Sequence, residues 1–140
     1  MILGIGIDIV STERLSRMCE QYGERFLARV FTRREIETAG QRATLAERLG
    51  TRFAAKEATM KALGTGWRGG VQFTQIEVRK QQSGMPEIVL SGAARQRAQE
   101  LGVEHIHVSL SHEGDRAMAV VILEGGAQPD AASPPPATGA

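Results

Sequence analysis

Hydrophobic and polar residues alternate over the first ten positions of the chain, which is the period of a half-buried β-strand. One face of this predicted strand, residues 2–10, carries three isoleucines, and the other carries Gly4, Gly6 and a single acid, Asp8. Because glycine has no side chain, the second face should let another backbone or a ligand approach Asp8 closely.

Two short helices are predicted next. Ser11 or Thr12 can cap a helix over about residues 13–22. Thr32 can cap a second helix, since Glu35 lies three residues later and completes a capping box.

The longest helix is predicted over residues 45–63. Its large apolar side chains recur within an arc of about 80°, and alanines give the other side a smooth surface for close packing. The turn Gly64-Thr65-Gly66 ends this helix.

The sequence pattern predicts mainly strands in the second half of the chain. The pattern predicts strands at 71–80 and 86–90 joined by a hairpin loop, a helix at 93–101, and strands near 106–111 and 118–122. Strands and helices do not alternate regularly as βαβ units, so the predicted fold class is α+β with a small antiparallel sheet packed on the long helix.

A chain of 140 residues fits one domain, which we place at residues 1–124. Residues 125–140 hold four of the five prolines among alanine, serine and glycine, and this composition predicts a disordered tail. The amino terminus has no basic leader, and no apolar run reaches membrane-spanning length. We therefore expect a soluble, cytoplasmic protein without a membrane partner.

The net charge of +1 and the 4% aromatic content argue against a nucleic-acid partner. Residues 11–34 nevertheless contain six arginines against three glutamates. This excess indicates either an ordinary solvated helix face or a docking surface for an acidic partner. Cys19 is the only cysteine, so neither an internal disulfide nor a cysteine-based zinc site can form.

Two isolated acids carry the candidate chemistry. Asp8 lies within an apolar strand, where a carboxylate is costly unless it is paired, bound to a metal or directed to solvent at a sheet edge. Glu57 borders the apolar arc of the long helix, and Lys61 lies one turn later, where the simple interpretation is an i,i+4 ion pair with Glu57. Lys56 falls inside the arc, where it must reach solvent or meet an anion such as a phosphate. Two carboxylates with nearby cations are what a Mg²⁺-phosphate site needs.

These residues resemble one known family, the holo-[acyl-carrier-protein] synthases, which are group I 4′-phosphopantetheinyl transferases. The match follows the chain in order and spacing over about residues 2–123. It rests on the segments Gly4–Val10, Arg29–Thr32, Arg52–Ala58, Lys61–Gly66 and Val108–His112.

The resemblance implies transfer of 4′-phosphopantetheine from coenzyme A to a serine of apo-acyl carrier protein, in support of fatty acid biosynthesis. It implies a Mg²⁺ cofactor held by Asp8 and Glu57, and a catalytic contact of Lys61 with the pyrophosphate. The remaining residues that it implies for coenzyme A are Arg52, Lys56, Gly64, Thr65, Gly66, Pro86, Ser109 and His112. The general base stays open between a metal-bound water, Glu57 and Asp8.

The family docks its acidic carrier protein on the first helix and forms trimers with active sites between subunits. The resemblance therefore implies a homotrimer here, and a carrier-binding surface of Arg14, Arg17, Met18, Arg25, Phe26 and Arg29. Many relatives have a glutamate where this chain has Ser11, so no role of that glutamate is transferred. The alternatives are a non-enzymatic docking module that uses the same arginines and, third, a nucleic-acid-binding protein.

Overall fold

The computed structural model describes residues 1–40, 45–66 and 68–126. Nearly all of the predicted tail lies outside these ranges, and the last strand ends at Gly125. The helices are α1 (Thr12–Val30), α2 (Arg33–Ala39), α3 (Leu45–Leu63) and α4 (Gly92–Leu101). The strands are β1 (Ile2–Ser11), β2 (Ile76–Lys80), β3 (Pro86–Leu90), β4 (Val103–Glu113) and β5 (Arg116–Gly125).

Three strands form an antiparallel sheet in the order β1-β5-β4, and β2 pairs with β3 in a separate antiparallel hairpin. The apolar β5 is the central strand, as its composition predicts. Helix α3 packs across the inner face of the three-stranded sheet. The predicted α+β class with an antiparallel sheet on a long helix is therefore confirmed.

Helix α3 begins and ends at the predicted residues, and it is buried around most of its circumference. Leu49 and Leu63 are enclosed on one side, and Ala54, Ala55 and Ala58 are fully buried on the other. The small alanine side chains allow the sheet to approach the helix axis closely.

Two predicted boundaries were wrong. Helix α1 continues to Val30 because the chain breaks helical geometry only at Gly23, where φ is 57°, and then resumes it. The predicted strand 71–80 starts only at Ile76, since Phe73–Gln75 forms a 3₁₀ turn. The capping box of Thr32 and Glu35 is present as predicted.

Within the described residues, no helix is both long enough and apolar enough to cross a membrane.

Candidate active site

The two glycines of β1 bring Asp8 to α3. A Cβ atom added at Gly6 would lie 1.7 Å from the carbonyl oxygen of Ala58, and one added at Gly4 would lie 2.2 Å from that of Ala62. Both distances are far too short for a real contact, so only glycine permits this approach. The close packing sets Asp8, two residues further along β1, beside the last two turns of α3.

Asp8 and Lys61 meet directly. The Lys61 ammonium donates to Asp8 Oδ1 at 3.1 Å and to the carbonyl oxygen of Ile7 at 2.9 Å. The Asp8 side chain is only 13% exposed, whereas that of Lys61 is 55% exposed. Lys61 can therefore move to another anion while Asp8 stays fixed by the sheet.

Glu57 belongs to the same cluster. Burial raises the pKa of Glu57 above its ordinary value, the negative charge of Asp8 raises it further, and Lys61 opposes both. Asp8 and Glu57 also line the same cavity, so their negative charges lie close enough to interact. The structure thus brings together Asp8, Glu57 and Lys61, which the sequence had separated by about fifty residues.

A cavity of about 410 Å³ opens on these carboxylates. Asp8 and Glu57 line it together with Phe53 from α3, Arg14 and Met18 from α1, and Arg116 from β5. Within the described ranges, no group of three or more histidine, cysteine or acidic residues could hold a metal ion. Two carboxylates nevertheless fit Mg²⁺, because this ion commonly takes one or two carboxylates and completes its shell with substrate phosphates and water.

Lys56 has a different role from the one predicted. Its ammonium is fully buried, lies 2.6 Å from Glu35 Oε1, and donates to the carbonyl oxygens of Phe73 at 3.0 Å and Ile76 at 2.5 Å. Of the two outcomes predicted for Lys56, reaching solvent or meeting an anion, the structure shows an anion, and it is the carboxylate of Glu35. In this arrangement the ammonium has no surface left for a ligand, so the structure gives no support to the predicted contact between Lys56 and coenzyme A.

A second cavity, of about 590 Å³, collects four of the residues implied for coenzyme A: Arg52, Pro86, Ser109 and His112. It also contains the cations Arg48, Arg79 and Lys80. Arg52 is only 6% exposed, and its Nε is a buried donor without a hydrogen-bond partner among the described residues. An unsatisfied buried guanidinium donor in a basic cavity is a physical reason to expect a bound anion.

His112 is oriented within this cavity by an acid that the sequence analysis missed. Its Nδ1 lies 2.6 Å from Glu47 Oε1, in the first turn of α3. The two residues are 65 positions apart, so no spacing rule could have linked them. Arg48 and Arg116 were missed for the same reason.

The turn after α3 lies apart from both cavities. Gly64 and Gly66 adopt positive φ angles of 73° and 52°, as expected of a helix-ending turn. Thr65 lines a smaller cavity of about 380 Å³ with Arg68 and Arg97. The described chain alone does not bring these residues together with Arg52.

The predicted carrier surface lies on α1. Met18, Arg25, Phe26 and Arg29 line one groove of about 490 Å³ together with Tyr22, whose ring is exposed. Arg14 lines the neighbouring Asp8 cavity, and Met18 lines both. Arg17 is exposed on the same helix. The apolar side chains of Met18 and Phe26 therefore lie among guanidinium groups, and Met18 reaches the cavity that contains the carboxylates.

The fold and this site define a class of protein. The family model of the 4′-phosphopantetheinyl transferase superfamily matches residues 4–121. The chain belongs to this superfamily.

Its relatives are more specific. A holo-[acyl-carrier-protein] synthase of Koribacter versatilis is 48% identical over 124 residues, which cover 89% of this chain and 99% of that protein. The crystal structure of the synthase from Neisseria meningitidis has a TM-score of 0.81 at 39% identity and covers 89% of this chain and 99% of that one. The synthase from Helicobacter pylori, solved in complex with coenzyme A, has a TM-score of 0.76 at 30% identity, with 86% and 99% covered. The resemblance seen in the sequence is thereby confirmed.

Proposed function

We propose that this protein transfers the 4′-phosphopantetheine group of coenzyme A to a serine hydroxyl of an apo-acyl carrier protein. The serine oxygen forms a bond to the phosphorus that carries pantetheine, and the bond from that phosphorus to the bridging oxygen of the pyrophosphate breaks. The serine proton passes to a general base, for which a water molecule, Glu57 and Asp8 are the candidates. Adenosine 3′,5′-bisphosphate leaves with the electron pair of the broken bond on its oxygen. The observation that carries the proposal is that Asp8, paired with Lys61, lines one cavity with Glu57 beside the arginine-bearing helix α1.

Each residue of the carboxylate cluster has a distinct task in this proposal. Asp8 and Glu57 would hold Mg²⁺, which supplies charge neutralisation for the pyrophosphate when it is bound. Lys61 is exposed and already pairs with an anionic oxygen, so it can contact the pyrophosphate and stabilise the departing phosphate.

The basic cavity supports coenzyme A as the donor. Coenzyme A carries a pyrophosphate and a 3′-phosphate, and Arg52 offers a buried, unsatisfied donor for one such group. Pro86, Ser109 and His112 line the same cavity and complete the proposed subsite. Gly64, Thr65 and Gly66 remain proposed contacts of the nucleotide end.

The groove of α1 supports an acidic protein as the acceptor. Arg25 and Arg29 flank Phe26 and Met18, so opposite charge would steer the carrier toward an apolar contact. Carrier affinity should therefore fall as the salt concentration rises.

The outer face of the sheet supports a homotrimer. Ile5, Ile7 and Ile9 are exposed on β1, with Ile5 at 61%. They pair across to Ile122, Val120 and Met118 of β5, which extends the apolar face. A contiguous apolar face of this kind typically marks a protein–protein interface.

The two cavities further support active sites between subunits. Arg52 and Glu57 are five positions apart on α3, which places them about 140° apart around the helix axis. Their cavities share no lining residue. A site in which one ligand touches both clusters is therefore more easily formed by the carboxylate cavity of one copy and the basic cavity of the next.

The direct test is the mass of an apo-acyl carrier protein after incubation with this protein, coenzyme A and Mg²⁺. We expect a mass gain of one phosphopantetheine with the wild type, none with Asp8→Ala or Glu57→Ala, and the wild-type gain with Glu104→Gln, which alters an exposed carboxylate of β4. Carrier binding without any mass gain would instead support the docking module.

A mixing experiment tests the shared site. Asp8→Ala and Arg52→Ala chains, each impaired alone, are co-expressed with different tags and purified as mixed oligomers. Restored transfer is expected if one copy supplies Asp8 and its neighbour supplies Arg52. Mixed oligomers as inactive as the parents would refute the shared site and leave the transferase itself standing.

A further inference from the structure

Asp115, in the turn between β4 and β5, forms hydrogen bonds with the start of α1. The hydroxyl of Ser11 donates to Asp115 Oδ2 at 2.8 Å, and the hydroxyl of Thr12 donates to Oδ1 at 3.1 Å. The backbone N–H of Glu13 donates to Oδ1 at 2.7 Å, and that of Thr12 donates to the Asp115 carbonyl oxygen at 2.9 Å. We call these four hydrogen bonds the Asp115 clasp.

The clasp supplies a helix cap from outside the helix. Ser11 is the N-cap residue, and its own oxygen accepts from the N–H of Arg14. Asp115 adds a carboxylate at the positive end of the helix dipole and satisfies a further free N–H group. Since the clasp joins residues more than a hundred positions apart, it fixes where α1 starts relative to the sheet.

Helix α1 has few other anchors. Leu15 and Val30, near its two ends, are its fully buried residues, and Gly23 breaks the helix between them. The first half, up to Gly23, is thus held by Leu15, by the partly buried Cys19 that packs against the core, and by the clasp at its start. This half carries Arg14 and Met18, which line the carboxylate cavity.

The carboxylate cluster does not depend on the clasp in the same way. Asp8 is held by the pairing of β1 with β5, in which it lies opposite Ala119, and by the packing of Gly6 on α3. Loosening the start of α1 should therefore move the carrier surface while Asp8, Glu57 and the basic cavity stay in place.

We propose that Asp115 is a positioning residue for the acyl carrier protein: through the clasp it fixes the first half of α1, and with it Arg14, Arg17 and Met18, relative to the active site. This inference rests on the proposed function. It assigns to Asp115 an effect on one substrate alone.

The test is steady-state transfer by the full-length chain with each substrate varied in turn. Asp115→Ala should raise the KM for apo-acyl carrier protein about fivefold, the factor that corresponds to a typical capping interaction. The KM for coenzyme A and kcat should stay within about twofold. Asp115→Asn keeps one acceptor oxygen and should fall between Asp115→Ala and the wild type. Glu113→Ala removes a carboxylate from the same hairpin without removing a hydrogen bond to α1, and it should match the wild type.

A parallel measurement separates this inference from the proposed function. Hydrogen exchange on the same variants should show faster exchange at Glu13 and Arg14 in Asp115→Ala, with β1 unchanged. Binding of apo-acyl carrier protein, followed by calorimetry without turnover, should weaken by the same factor as the KM rises. If the wild type binds the carrier but transfers nothing, the proposed function is refuted. The positioning role of Asp115 is then still decided by the carrier affinity of Asp115→Ala in calorimetry. An unchanged carrier affinity, or an equal loss for both substrates, would overturn the positioning role.

Discussion

Replacing Lys56 with methionine is the sharpest test of how the fold is held together. Lys56 and Glu35 are both fully buried, and the pair joins α3 to α2. Glu35 also accepts from the N–H groups of Thr32 at 2.9 Å and Val78 at 3.1 Å. Methionine keeps the length of the side chain but leaves the carboxylate buried without a counter-charge.

The magnitude follows from that unpaired charge. Removing one partner of a buried ion pair costs about 3–5 kcal/mol. The total stability of a small domain is about 5–15 kcal/mol, so Lys56→Met should consume a large share of it. The loss should appear in the free energy of unfolding from urea titrations followed by circular dichroism at one fixed protein concentration, because assembly would add to the apparent stability.

Two comparisons isolate the buried pair. Lys61→Met removes a lysine from the same helix, but Lys61 is half exposed, and its pair with Asp8 should contribute less than about 1 kcal/mol. The double variant Lys56→Met with Glu35→Gln removes both charges, so it should cost about 1–3 kcal/mol less than the sum of the single variants. A Lys56→Met loss no larger than that of Lys61→Met, or strictly additive single costs, would refute the argument.

Three further outcomes are expected. Gly6→Ala should destabilise the fold by about 1–3 kcal/mol in urea titrations and reduce transfer, because its Cβ would overlap the Ala58 carbonyl and force β1 away from α3. Wild-type stability and activity in this variant would contradict the close approach of β1 to α3. In the metal-free protein, Asp8→Asn should lower the pKa of Glu57, measured by a carboxyl ¹³C titration. Burial is the larger cause of the shift, so the pKa of Glu57 should stay above its ordinary value. An unchanged pKa would mean that the two carboxylates do not interact. Hydrogen bonds from the Glu13 N–H and the Ser11 hydroxyl lower the pKa of Asp115 below its ordinary value, so its contribution to stability is present above that ordinary value and is lost as the pH falls through the lowered one. Asp115→Asn should therefore lose less stability on acidification in urea titrations, and a loss identical to that of the wild type would argue against the clasp.

Local patterns predicted the elements well where one short-range rule decides the structure. Helix α3 has a continuous 3.6-residue period and a glycine turn after it, so both of its ends were predictable. Helix α1 was predicted too short, since the prediction ended at residue 22, directly before Gly23. A glycine can instead form a single non-helical step within a longer helix when each half is anchored separately.

The candidate site was only partly predictable, because each of its contacts spans a large sequence distance. Asp8 and Glu57 could be singled out as isolated acids in apolar elements, and the glycines of β1 gave a physical reason for close packing. The pairs His112 with Glu47 and Asp115 with Ser11 leave no local signature, since each joins a turn or strand end to a distant helix end. Such pairs are fixed by the fold and not by spacing in the sequence.

Helix α3 shows why a helical wheel could place the charges but could not assign their tasks. The pattern set Lys56 inside the apolar arc, where it had either to reach solvent or to meet an anion, and it could not tell an internal carboxylate from a substrate phosphate. Burial separates the two cases: the Lys56 ammonium is enclosed and fully satisfied, whereas Arg52 has a free Nε and Lys61 is exposed. A cation that stabilises the fold must be satisfied within it, and a cation that binds a ligand must keep a donor unsatisfied or mobile. By that criterion Arg52 and Lys61 remain available for coenzyme A, and Lys56 belongs to the fold.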